Sequence, residues 1–276
     1  RKKYMSPVRN CNRQNKSDIS TDRRGLDRIY DGVRIDAKGI YYKELNELIR
    51  QAVDSGNKEI VLDNVNGQRY IGAGLAGEVK IIINGVPGND LAGFMDGPTI
   101  IVNSNGQDGI GNTMNAGKII VYGDVGDIAG HSMRGGCIYV KGNAGYRIGI
   151  HMKSYKDLYP VIIIGGKACD FLGEYMAGGL IIVLGFGKSP DEAIVGNYCA
   201  TGMHGGTMYI RGNIEAYQLG KEAKKISLDK EDDRILRTYL KEYSAYFSLK
   251  LEDILNSDFV KLKRSSHRPY ARLYAY

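Results

Sequence analysis

Tryptophan is missing from this chain of 276 residues, phenylalanine occurs five times and proline six, so any core must be built from aliphatic side chains, methionine and tyrosine. The four cysteines, Cys11, Cys137, Cys169 and Cys199, form no CxxC pair and show no spacing typical of zinc or iron–sulfur ligands. A disulfide framework is not expected either, and small packing residues are the plainer reading of these thiols. There is no Gly-x-Ser-x-Gly, no Walker loop and no paired-carboxylate constellation, which removes the familiar hydrolase and nucleotidase signatures. No apolar run approaches the roughly 18 residues of a membrane helix, and no charged-then-apolar leader precedes the first residues. These absences lead to the expectation of a soluble, cytoplasmic chain with no membrane partner.

What is abundant is glycine, at 37 residues, and it is ordered. The stretch KIIVYGDVGDIAGHSMRGG from Lys118 looks at first like a strand followed by a phosphate-binding loop. It recurs, however, as TIIVNSNGQDGIGNTMNAG from Thr99 and KIIINGVPGNDLAGFMDGP from Lys80, each nineteen residues earlier. Later copies begin at Cys137, at Val161 after five extra residues, at Leu180, and at Thr207 after eight extra. A degenerate first copy, IVLD, begins at Ile60, giving about eight rungs. A dinucleotide site needs a helix of about ten residues or more after its glycines, and here the next strand arrives first. A period of this length signals instead a solenoid whose units bury their apolar sides against their neighbours.

The columns of the repeat define the solenoid. The second residue of each rung is Ile81, Ile100, Ile119, Ile138, Ile162, Ile181 or Met208, and the fourth is Ile83, Val102, Val121, Val140, Ile164, Val183 or Ile210. Two apolar columns spaced by two form the inward face of a strand. Met95, Met114, Met133, Met152, Met176 and Met203 make another column, suited to filling an irregular interior. Three places ahead of each Met stands a Gly or Ala, and six places ahead stand Asn89, Asp108, Asp127, Tyr146, Asp170 and Asn197, mostly the side chains that turns prefer. Short strands and turns without intervening helices predict an all-β chain wound as a single-stranded, right-handed parallel β-helix over residues 60–215.

The third residue of each rung faces outward and is nevertheless apolar: Ile82, Ile101, Ile120, Tyr139, Ile163, Ile182 and Tyr209. Strands apolar on both faces are covered on both faces. Either the chain's own helices cover this column or a partner does, and Ile101, Ile120, Tyr139, Ile163, Ile182 and Tyr209 are the candidate partner interface. Residues 1–59 are expected to hold an arm and a capping helix near 41–55, with Leu45, Leu48, Ile49 and Ala52 on one face. Residues 216–276 are expected to be a helical extension, with Ile235, Leu236, Tyr239, Leu240 and Tyr243 on one face of a helix over 229–246, a shorter helix from about Ser248, and an irregular arm at the end.

The net charge of +7 is unevenly placed. Residues 1–28 hold nine Lys or Arg against three Asp, and residues 257–276 hold five against one, which leaves the body near −3. Basic ends on a mildly acidic body argue against a nucleic-acid footprint along the solenoid. His131, His151 and His204 fall near one corner but in three different columns, with no carboxylate expected to share them. A free-standing hydrolase with a histidine-lined groove is therefore kept as an alternative, with no catalytic or metal residues assigned.

The coils GDVGDIAGHSMRGG and GNAGYRIGIHM, the stretch CDFLGEYMAGGLIIVLG from Cys169 and NGQRYIGAGLAGEV from Asn66 resemble the carboxy-terminal GXGXG domain of the glutamate synthase large subunit. The same domain type is similar to the β-helical subunit of formylmethanofuran dehydrogenase. The resemblance covers roughly residues 61–212 and implies a right-handed parallel β-helix. It further implies a non-catalytic brace between a glutaminase that releases ammonia from glutamine and a synthase that aminates 2-oxoglutarate with FMN and an iron–sulfur cluster. Neither the amino-terminal nucleophilic Cys nor a cysteine cluster is present, so the resemblance implies a separately encoded scaffold subunit of a split glutamate synthase. Its partners would be glutaminase-type and FMN-binding chains, or a further copy of itself, and its own chain would hold no cofactor. A protein like the β-helical subunit of formylmethanofuran dehydrogenase is the alternative within the family.

Overall fold

The computed structural model describes residues 26–29, 32–189 and 191–265. Nine parallel strands stand in chain order in one sheet. They are β2 (Gly32–Asp36), β3 (Glu59–Asn66), β4 (Lys80–Val86), β5 (Asp96–Val102), β6 (Ala116–Val121), β7 (Cys137–Val140), β8 (Val161–Ile164), β9 (Ala177–Val183) and β10 (Gly205–Arg211). Neighbours in sequence pair directly, so each turn of chain returns the next strand beside the last, as a β-solenoid requires. The registers align the columns: Ile60, Ile81, Ile100, Ile119, Ile138, Ile162, Ile181 and Met208 stand next to one another. A second parallel ladder joins Gly106, Val125, Ala144, Ala168 and Val195 on another side of the coil. All six column methionines are fully buried in the interior cluster.

The corner asparagines and aspartates do more than turn the chain. Asp108 Oδ1 accepts the backbone N–H of Asp127 at 2.9 Å, and Asp127 Oδ1 accepts that of Tyr146 at 2.8 Å. A parallel column repeats the arrangement through Asn105, Asp124, Asn143 and Lys167. Each side chain thus satisfies a donor one coil away that has no other partner in a tight corner. Glycines in between keep that path open: a Cβ on Gly126 would overlap Asp108 Oδ1.

Helix α1 (Tyr42–Asp54) turns Leu45, Ile49 and Ala52 into the same interior cluster as the strands. The expected boundary between an amino-terminal arm and the solenoid at residue 59 does not hold, because β2 already forms a rung, with Val33 and Ile35 buried. The reason lies in spacing: α1 occupies the first coil, so Val33 stands 27 residues before its partner Ile60. Before it, β1 (Leu26–Ile29) pairs antiparallel with β2. The described part of the expected carboxy-terminal arm, up to Ser265, is not irregular. Its first part forms β12 (Phe259–Arg264), antiparallel to β10. Strand β11 (Ala223–Ile226) pairs with β12, so the extension expected to be helical also contributes strands. Leu262 continues the inner column beside Met208, which closes the last coil. Exposed Lys224 and Lys225 on the outermost strand discourage further pairing there. Residues 1–25 and 266–276, with ten of the 38 Lys and Arg residues and Cys11, lie outside the described residues.

Two helices complete the fold. Helix α2 (Lys230–Phe247) starts at Asp229, whose side chain accepts the N–H groups of Glu231 and Asp232, and ends at Ser248 in the left-handed conformation. Helix α3 (Leu251–Leu255) follows and leads back to β12.

Candidate functional site

The outward column is covered by the chain itself over most of its length. Ile120, Tyr139, Ile163, Ile182 and Tyr209 are fully buried, in a second apolar cluster with Leu236, Leu240, Tyr243 and Phe247 of α2 and Ile254 of α3. Five of the six residues offered as a partner interface therefore have no surface left for a partner, and only Ile101 is half-exposed. The physical cause is the apolar face of α2, which meets the same demand that a partner would have met.

The two tyrosines in an otherwise isoleucine stretch have a specific purpose. Tyr209 donates its hydroxyl hydrogen to Asp232, and Lys261 Nζ on β12 donates to the other oxygen of that carboxylate at 2.7 Å. Tyr139 donates to Glu242 at 2.9 Å, and Lys118 on β6 pairs with the same carboxylate. Each clamp is a Tyr, a Lys and one carboxylate from α2. The two carboxylates are ten residues apart, about 15 Å along a helix. From β7 to β10 there are three strand steps, about 14 Å. The helix rise thus matches the coil spacing, and α2 lies along the stack in one register.

The electrostatics follow the geometry. Burial opposes ionisation of Asp232, yet hydrogen bonds from Lys261, Tyr209 and the Asp229 backbone hold its carboxyl below the ordinary range. Burial likewise opposes the charge on Lys261, and Asp232 overrides it, keeping the ammonium above its usual value. Burial raises the Tyr209 and Tyr139 phenols, and their carboxylate neighbours raise them further.

Beyond the carboxy-terminal end of α2 the outer face is open. A groove of about 760 Å³ lies between Tyr246 and Ile101, with Val79, Lys80 and Thr99 along it. Ile82 and Ile101 are half-buried there.

Of the three candidate histidines, His131 and His151 approach each other. The rings of His131 and His151 are 6.1 Å apart, and His151 stacks on Tyr175 at 5.3 Å. His204 stands in the column of Arg134, Lys153 and Ala177, whose N–H groups bond to the methionine carbonyls one coil back. Burial first, and His151 second, hold His131 below the ordinary imidazole range. One expectation is corrected: Glu174 does share the column of His131, two coils on, but it is ion-paired with Arg147. Among the described residues no group of three His, Cys, Asp or Glu could hold a metal. Cys137, Cys169 and Cys199 are free thiols, and burial pushes Cys199 up to about 12. Among the described residues no helix is long and apolar enough to cross a membrane.

Sequence reasoning missed the clamps and the second Asn/Asp column. The signal for the first was Tyr in place of Ile at two positions of the outer column. That for the second was the phase-locked Asn105, Asp124 and Asn143.

Comparison with known proteins agrees with this architecture. A family model described as GXGXG motif matches residues 49–265. An uncharacterized protein of Methanocaldococcus jannaschii is 50% identical over 251 residues, spanning 88% of this chain and 96% of that protein. A chain in the crystal structure of the formyltransferase/hydrolase complex from Methylorubrum extorquens, bound to methylofuran, superposes with a TM-score of 0.57 at 20% identity. That match covers 82% of this chain and 89% of the other, and establishes likeness of fold.

Proposed function

The chain belongs to the GXGXG motif family, and from that premise we propose that it is a non-catalytic scaffold subunit of a split glutamate synthase. In this reading it braces glutaminase-type and FMN-binding, iron–sulfur chains so that ammonia released by one is used by the other. The observation that carries the reading is how the polar side chains are employed. The buried carboxylate, lysine and tyrosines hold α2 to the sheet, and the corner aspartates bond backbone one coil away. Such groups are committed to shape and are poorly placed to take up a substrate. Motifs in four coils that resemble the glutamate synthase domain support this complex within the family.

A second reading, the β-helical component of a formylmethanofuran-type complex, is favoured by the superposition on a chain of the formyltransferase/hydrolase complex. The two are separated by reconstitution. The chain is co-expressed with glutaminase-type and FMN-binding chains from the same organism. Co-elution is followed by size-exclusion chromatography, and glutamine-dependent glutamate formation is measured with and without it. The expected result is a stable complex whose glutamine-dependent rate falls when the chain is omitted, while ammonia-dependent synthesis persists. Full glutamine-dependent turnover without the chain would overturn the proposal, and co-elution with formyltransferase/hydrolase chains would replace it by the second reading.

A further inference from the structure

The repeat is broken between β9 and the next corner, where eight additional residues follow Leu184, as many as lengthen the coil that holds α1. Insertions in solenoids fall on one side and commonly build the binding face. Here the inserted loop, the end of β10, the turn into the extension and the start of β12 enclose a cavity of about 530 Å³. Its volume is within the range of small-molecule pockets.

Arg211 lines this cavity in an unusual setting. Its guanidinium packs on the Phe186 ring of the inserted loop, 5.0 Å from the centroid. Nε donates to Ser257 Oγ at 3.0 Å and one terminal nitrogen donates to the Leu184 carbonyl at 3.2 Å. The group is therefore fixed on three sides, yet among the described residues no carboxylate pairs with it. A guanidinium has five N–H donors, so most remain for something else, in a fork that suits a carboxylate. Asp258 lines the same cavity and pairs with no Lys or Arg among the described residues. The two opposite charges share one wall without meeting: the Gly212 N–H is held by the Asp258 carbonyl at 2.7 Å, while the side chains form no ion pair. Lys188, Asp191, Glu192 and Glu215 also line the cavity, Glu192 in an ion pair with Lys167, so the lining carries charge of both signs. A ligand that itself carries both signs can meet both, which a simple anion or a simple cation cannot.

We infer that this cavity binds a small zwitterion of the α-amino-acid class, its carboxylate on Arg211 and its ammonium toward Asp258. The site is independent of the scaffold role, since it lies apart from the face under α2 and requires no partner chain.

The test uses the full chain at low salt, titrated calorimetrically with the twenty free L-amino acids, with succinate as a carboxylate lacking an amine and putrescine as an amine lacking a carboxylate. At least one amino acid is expected to bind, with succinate and putrescine weaker by about tenfold or more. Arg211→Gln and Asp258→Asn are each expected to weaken the bound amino acid by about tenfold or more, and Arg134→Gln, in the column of Lys153 and outside the cavity, to leave it unchanged. Asp258 is exposed and has no Lys or Arg partner among the described residues, so its variant keeps the test decisive if Arg211→Gln does not fold. Absence of binding by any amino acid, equal binding of succinate, or unchanged affinity in Asp258→Asn would overturn the inference.

Discussion

Two halves of one sheet carry the same apolar outer column and treat it differently. Over β6 to β10 the column is roofed by α2 and α3, and its members are fully buried; over β4 and β5, Ile82 and Ile101 are left half-exposed beside a groove. The strands themselves are alike in both halves, with isoleucine inside and outside. What differs is the presence of polar anchors: both clamp tyrosines and both clamp lysines belong to the roofed half or to the β12 strand that closes it. An apolar surface attracts a helix without choosing its position, because burial has no direction. The clamps supply the position.

The largest expected effect separates the halves directly. Ile163→Asp would place an unpaired carboxylate under α2, and buried unpaired charge costs more than about 4 kcal/mol. Ile101→Asp, at the open edge, is expected to cost less than about 1 kcal/mol. Urea unfolding followed by circular dichroism checks both, with the Ile163 variant largely unfolded and the Ile101 variant near wild type. A mild Ile163 variant would mean that α2 leaves the sheet readily and that the roof is loose.

The two clamps should then differ from each other, although their chemistry is the same. Asp232 is 2% exposed and leaves Lys261, at 10%, without its partner when removed. Loss of one member of a buried pair costs about 3–5 kcal/mol. Glu242 and Lys118 are 38% and 36% exposed, so solvent compensates, and Glu242→Ala is expected to cost about 1 kcal/mol or less. Denaturant midpoints of Asp232→Ala and Glu242→Ala measure the contrast. Equal losses would show that burial does not distinguish the two ends of α2.

Titration provides a third contrast, now between acid and alkali. Tyr209 and Tyr139 hold their protons above the ordinary phenol value of 10.0 in the folded chain, and Lys261 above 10.5. Groups with raised values in the fold give stability that is present at lower pH and is lost as pH rises past the unfolded value. Asp232 is shifted the other way, so its contribution is present above 3.8 and is lost as pH falls through its folded value. The expected profile is flat between about pH 5 and 9, with stability falling above about pH 10. Tyr209→Phe should blunt the alkaline fall, which thermal melts across that range would reveal.

Much of this was readable in the residues. The nineteen-residue period placed every strand from β4 to β10, because stacked coils repeat both their inner isoleucines and their corner methionines in phase. Helix α2 was readable from its apolar face, as was α1. Strand β2 was hidden because a helix inserted into the first coil destroys the period. Strand β12 was hidden because its V-K-L-K alternation is too short to outweigh its basic, irregular surroundings. Whether a helix or a partner covered the outer column could not be decided from composition, since both offer the same apolar face. The decision lay in pairs far apart in sequence, such as Tyr139 with Glu242, which no local pattern connects.

The smallest effect tests whether the two halves are independent. The Asn/Asp columns run through both, on the corners that follow the strands. Asp108 accepts an N–H across to the coil of β6, and Asp124 accepts one from Asn143 in the coil of β7 at 2.6 Å. Both side chains are near the surface, so losing the bond exposes a donor that water can partly satisfy. Asp108→Ala and Asp124→Ala are each expected to cost about 0.5–1.5 kcal/mol, the net worth of one such hydrogen bond. The two values should agree, because a solenoid's stability is a sum of local terms between adjacent coils. If Asp124→Ala cost several times more, the roof would be transmitting strain through the coil to that corner. The partition of the sheet into a clamped half and an open half would then describe its surface and not its energetics.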